Sequence, residues 1–246
     1  MTDSGHSRFD HAGETGDSAS EFPDSERMRL AARPLDARAL RDDLVDLFRI
    51  VREYRKEIIV LVTVVTVLIA RRAYPLPDRH WSAFVYFGVV PLIVAFALGF
   101  RARALGLGLG NVRAWLPLTA LLIITAVPLV WLGAQMSSMQ AYYGQSEDWD
   151  ILYAVYTTGV YHVAWEFFYR GFMLFTLAPR FREFSIVIQM VPFVLTHLGK
   201  PPVEALSCVF SGLIWGYVCY RGGSFWPAFI MHFTVNFANQ IFNHVA

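Results

Sequence analysis

Beyond residue 57 the chain alternates long apolar blocks with short polar breaks. The blocks cover residues 58–70, 81–100, 115–136, 151–177, 184–198, 203–220 and 225–242. Most approach the roughly 20 residues that carry a helix across a hydrocarbon core about 30 Å thick; the first is short for a span. The pattern predicts an all-α fold, a polytopic transmembrane helical bundle of about seven spans. A different period precedes it. Leu40, Leu44, Leu47, Phe48 and Val51 recur at helical spacing against Arg41, Asp42, Asp43, Arg49, Arg52 and Arg55, which predicts an amphipathic helix over 34–56 lying on the membrane surface or against the protein's own loops. Residues 1–33 are polar and mixed in charge, without a cleavable apolar core, and read as a disordered tail. The expected organisation is therefore a tail (1–33), an amphipathic helix (34–56), N-terminal transmembrane helices (57–149) and a C-terminal helical core (150–246).

Composition agrees with the pattern. The chain has 246 residues, 55% hydrophobic, 15% aromatic and only 17% charged, which is less charge than a soluble domain carries. A net charge of +1 gives no support for nucleic-acid binding. Cys208 and Cys219 fall in one helical block, separated by about 16 Å, too far for a disulfide. The distribution of positive charge orients the bundle. With the N-terminus cytoplasmic, Arg49, Arg52, Arg55, Lys56, Arg101, Arg103, Arg113, Arg180, Arg182 and Arg221 lie inside, and Glu147, Asp148 and Asp150 outside. Arg71, Arg72, Arg79 and Lys200 fall on the opposite side from the other cations. The expected location is a bacterial inner membrane, with the lipid bilayer itself as one partner.

The fourth block is broken by chemistry. Glu166 and Arg170 stand in an aromatic run, Tyr161-His162-Val163-Ala164-Trp165-Glu166-Phe167-Phe168-Tyr169-Arg170-Gly171. An ionisable group at the bilayer centre costs about 2.5–3.5 kcal/mol on insertion scales and marks a functional site by default. Glu166 and Arg170 are four residues apart and share a helix face, with His162 one turn earlier. A structural ion pair is the plain reading of Glu166 and Arg170 taken alone. Two more histidines, His197 and His232, sit in later apolar blocks, and Asn236 follows His232 by one turn. At about 1.5 Å per residue, Glu166, His197 and Asn236 lie roughly 18, 20 and 18 Å from the cytoplasmic ends of their helices, and His232 about 12 Å. Residues from three spans thus reach similar depth. A carboxylate and imidazoles are groups that take a proton from water, and His or Asn can donate to a developing oxyanion.

Glu166-x-x-x-Arg170-Gly171, Phe193-x-x-x-His197 and His232-x-x-x-Asn236, with Gly223-Ser224 and Trp226-Pro227 before the last block, resemble the CAAX protease and bacteriocin-processing (CPBP, or Abi) family. The resemblance covers about residues 150–240. It implies a glutamate-type intramembrane endopeptidase that hydrolyses a membrane-associated protein tail or leader. Glu166 and His197 would activate water, His232 and Asn236 would form the oxyanion site, and Arg170 would hold Glu166. Trp165 stands where the family usually carries the first of two glutamates. Helix neighbours point about 100° apart, so Glu166 does not simply take its neighbour's direction; His162 and Glu204 are the accessory candidates. No cofactor is expected. Two alternatives remain open: a zinc-dependent hydrolase with Glu166, His197, His232 and His162 as ligands, and a non-catalytic membrane scaffold or immunity protein.

Overall fold

A computed structural model describes residues 36–144 and 150–245. The tail expected over 1–33 and the acidic residues Glu147 and Asp148 lie outside the described residues. The regular elements among the described residues are all helices, with no strand among them. Two units are described separately, divided after Glu53.

The first unit holds α1 (Ala37–Glu53), which buries none of its residues. Asp36 caps it, Oδ1 accepting from the backbone N–H groups of Arg38 and Ala39 at 3.0 and 2.7 Å. Leu44 and Phe48, on the apolar stripe the sequence shows, are exposed.

In the second unit each of the seven apolar blocks is helical. α2 (Arg55–Ala73) buries Val60, Val64 and Val67, three positions on one face. It packs on α3 (Arg79–Ala97). Asp78 starts α3 by accepting from the N–H groups of His80 and Trp81, both at 2.8 Å. Those bonds, chiefly the one from Trp81, hold the exposed Asp78 carboxyl below its ordinary pKa. Then come α4 (Val112–Ala134) and the short α5 (Ser137–Tyr143). α6 (Ile151–Glu166) runs without a break into a π-helical segment, Phe167–Met173, and then α7 (Leu174–Phe181). α8 (Phe184–Leu195), α9 (Pro202–Gly222) and α10 (Trp226–Val245) complete the fold.

α6 and its π-helical continuation are the centre of this unit. Every residue from 164 to 174 is buried, the pattern of a helix surrounded on all sides. α10 packs along α4, α6 and α9, and α8 packs on α9. The small residues of α9 have a packing role. A Cβ on Gly212 would meet Met190 Cγ at 2.7 Å, and one on Gly216 would meet Gln189 Nε2 at 2.7 Å. With both side chains absent, Gln189 Nε2 reaches the Gly212 carbonyl at 2.8 Å. Cys208 and Cys219 are both free and buried.

Among the described residues three helices are long and apolar enough to cross a membrane: Arg79–Ala97, Val112–Ala134 and Pro202–Gly222. The other blocks fall short by length or polarity. α8 has only 12 residues. α2 carries Arg55, Lys56, Glu57, Arg71 and Arg72 at its ends, α6 and its continuation carry Glu166 and Arg170, and α10 carries His232 and four side-chain amides.

Candidate active site

The polar groups singled out in the sequence come from α6, its π-helical continuation, the end of α8, and α10. Glu166 ends α6 and is fully buried. Its Oε1 lies 2.5 Å from Nδ1 of His232, on α10. Its Oε2 lies 2.9 Å from Nη1 of Arg170, also fully buried. That second contact is an ion pair off the hydrogen-bond angle: the Arg170 nitrogens and Glu166 Oε2 lack a hydrogen bond of good geometry. The guanidinium instead lies over the Phe193 ring, 4.0 Å from its centre, with Trp215 at 5.8 Å. Aromatic faces stabilise a buried cation by about 2 kcal/mol when it is desolvated. Gly171 is required beside Arg170, since a Cβ there would come within 2.4 Å of the Phe167 ring.

Three imidazoles gather around this pair. The His162 and His232 rings are 4.3 Å apart between centres, edge to face, and His197 and His232 are 6.4 Å apart. His197 Nδ1 meets the Phe193 carbonyl at 2.8 Å, and His162 Nδ1 meets the Thr158 carbonyl at 2.7 Å. A carbonyl only accepts, so Nδ1 of each neutral ring carries the proton and Nε2 is left as the basic nitrogen. Glu166 fixes His232 the same way, leaving its Nε2 free.

Asn236 lies one turn beyond His232 on α10. Its Oδ1 accepts from Gln240 Nε2 at 2.9 Å, and Gln240 Nε2 also donates to Thr158 Oγ1 at 2.9 Å. The Asn236 amide N–H₂ is thereby oriented as a donor. Gln240, Thr158 and Trp215 were missed in the sequence. The spacing 232, 236, 240 places Gln240 on the same stripe as His232 and Asn236, and that was the available signal. Glu204 is engaged elsewhere. It accepts from the Tyr143 hydroxyl at 2.6 Å and lies 3.7 Å from Lys200 Nζ, which also donates to that hydroxyl at 2.7 Å. Burial, with the Glu204 carboxylate beside it, pushes the Tyr143 hydroxyl above its ordinary pKa. Lys200 and Glu204 thus form a part-buried cluster with Tyr143.

Trp165 is buried between these groups and α3. Its ring stacks on Tyr161 at 5.5 Å and meets His197 edge-on at 5.7 Å. Its indole N–H has no partner. Among the described residues no group of three or more His, Cys, Asp or Glu side chains is disposed to hold a metal ion. Both Glu166 oxygens face nitrogen donors, so the carboxylate offers no free ligand edge.

Residues 147–238 match the family model described as type II CAAX prenyl endopeptidase Rce1-like. This segment is similar to the Rce1-like (CPBP) family. The match contains Glu166, Arg170, His197, His232 and Asn236, so the whole candidate site apart from Gln240 lies in the Rce1-like core. No curated protein and no solved structure matches the chain. α2, α3 and α4 lie outside the Rce1-like segment.

Proposed function

We propose that the protein is an intramembrane endopeptidase that hydrolyses a peptide bond in the tail or leader of a membrane-associated protein. The observation that carries this reading is the Glu166 carboxylate, fully buried and held between His232 Nδ1 and Arg170 in a segment of an endopeptidase family. A carboxylate bonded to Nδ1 orients the ring and raises the basicity of Nε2. In this reading His232 Nε2 and His197 Nε2 flank the attacked carbonyl. One takes a proton from water, and the Asn236 amide donates to the oxyanion. Glu166 acts through His232 and stabilises the imidazolium as it forms. Arg170 holds Glu166 in place. Accessory roles for His162 and Glu204 rest on proximity in the first case only, since Glu204 is bonded to Tyr143.

No metal takes part in the proposed reaction, and zinc-dependent hydrolysis is the alternative that chelation tests. The protein sits in a bacterial inner membrane with the N-terminus cytoplasmic and about seven spans, and its partners are the bilayer and a membrane-associated peptide or protein substrate. Positive charge on the loops supports this orientation. The helical core begins near residue 150, after N-terminal membrane helices (57–149), an amphipathic helix (34–56) and a polar tail (1–33).

A library of short apolar peptides incubated with the purified chain in lipid nanodiscs tests the reading. Expected are cleavage products that persist in chelator and vanish with His197→Ala. Products lost on chelation and restored by zinc would favour the metal-dependent alternative. A second reading, a non-catalytic membrane scaffold, is favoured by one observation. Trp165 fills the place of a family glutamate with an apolar ring, and the remaining Glu166–Arg170 pair is of a kind that pins helices together. Under that reading no peptide is cut and His197→Ala leaves partner binding unchanged.

A further inference from the structure

A cavity of about 720 Å³ opens between α2, α3, α6 and the end of α8. Arg71, Arg72 and Arg79 line it, and its lining holds no carboxylate. These are three of the four cations that violate the charge asymmetry of the loops. The nearest acid in sequence, Asp78, is occupied, capping α3 and lying 3.7 Å from His80 Nδ1.

The guanidiniums are placed by aromatic rings. Arg71 lies 4.9 Å from the centre of Phe87 and 5.6 Å from that of Tyr161, and Arg79 lies 5.8 Å from Tyr161. Stacking on a ring leaves the N–H edge of a guanidinium free to donate. The Nε of Arg71 is buried without a partner, and so is the indole N–H of Trp165, a residue 6% exposed that also lines the cavity. Like charges sharing one cavity repel unless an anion sits among them. One fork satisfies a carboxylate's two oxygens. Three arginines lining one cavity suit an ion with more oxygens, and arginine binds phosphate bidentately.

We propose that this cavity binds a phosphate ester, supplied by the headgroup of an anionic lipid. The surroundings favour that source over the free ion. Leu68 and Leu195 line the cavity beside the arginines, and Leu195 is 57% exposed. They give acyl chains an apolar path away from the headgroup. Tyr74 and Trp81, both well exposed, flank the arginines in sequence as interfacial aromatic residues do. Basic pockets between membrane helices bind anionic headgroups by this chemistry. The cationic wall comes from residues 71–79, outside the Rce1-like segment. Trp165 forms the partition between this cavity and His197.

Native mass spectrometry of the full chain in detergent tests the proposal without any reference to cleavage. The probes are phosphatidylglycerol and phosphatidylcholine at equal concentration. Phosphatidylglycerol is expected to be retained at least about tenfold over phosphatidylcholine. The preference should fall to near parity with Arg71→Gln/Arg79→Gln and survive with Arg71→Lys/Arg79→Lys. Arg113→Gln, at an exposed arginine of α4, should leave it as it was, which separates a specific site from general surface charge. No preference in the intact chain, or a preference that the Gln pair leaves intact, overturns the proposal. Inorganic phosphate that binds with the same arginine dependence, without any lipid preference, overturns the lipid source. Displacement of phosphatidylglycerol by N-acetyl-Leu-Leu-Leu but not by its amide would make the cavity a peptide carboxylate site and overturn it too. A chain that retains the lipid and cuts nothing keeps this inference and loses the endopeptidase reading.

Discussion

Glu166 has two oxygens, and each meets a different base: His232 through Oε1 and Arg170 through Oε2. Removing Arg170 leaves a buried carboxylate facing one imidazole, so Arg170→Ala should destabilise the fold by about 3–5 kcal/mol. Unfolding followed by circular dichroism in detergent micelles measures this; a loss under about 1 kcal/mol would mean the pair is not desolvated as the structure places it. Asn236→Ala removes one donor to the oxyanion. It should slow peptide cleavage by about 100- to 1,000-fold while leaving thermal stability nearly unchanged. The residues of this site were legible because charge and imidazole are rare in apolar blocks. Their pairing was not. Whether Glu166 meets His197 or His232 depends on how α6, α8 and α10 pack, and a pattern of single helices contains no such information. Gln240 and Thr158 were passed over because amides and hydroxyls are unremarkable in such helices until a partner is seen.

At the level of elements, the stripe of small residues on α9 serves packing, because close approach needs small side chains wherever it occurs. Gly216→Val would drive a side chain into Gln189 and Ile186. A loss of about 1–3 kcal/mol is expected, again read by thermal unfolding. Tyr143 ties α5 to α9 through Glu204 and Lys200. Tyr143→Phe leaves that carboxylate and ammonium short of a shared partner, and should cost about 1–3 kcal/mol without changing cleavage of a peptide. The π-helical turn at Phe167–Met173 was not legible. An i→i+5 turn in an apolar aromatic run has no residue that announces it, although such turns concentrate at functional sites. Asp36, Asp78, Asn111 and Asp150 each cap the helix they precede.

For the whole molecule, each apolar block read in the sequence is helical, while the short α5 (Ser137–Tyr143) fell between blocks, and the Rce1-like match falls where the sequence motifs lie. The number of spans was less accessible. Charged side chains make α2 and α6 with its continuation less apolar, and imidazole and amides do the same for α10. Cysteine-accessibility labelling of intact cells measures the topology. The proposed orientation expects a cysteine at Arg103 to be shielded from a membrane-impermeant thiol reagent and one at Asp150 to be labelled.

The central claim is that Glu166 serves hydrolysis. The most direct measurement is a survey of protein termini in host-cell membranes, comparing the intact gene, Glu166→Gln and a deletion at matched expression. The account predicts new termini on membrane proteins with the intact gene that are missing from both other strains. Identical termini in all three would contradict it and leave a non-catalytic membrane protein. Termini that persist with Glu166→Gln but not in the deletion would contradict the assignment of Glu166 and move the base to another residue of the cluster.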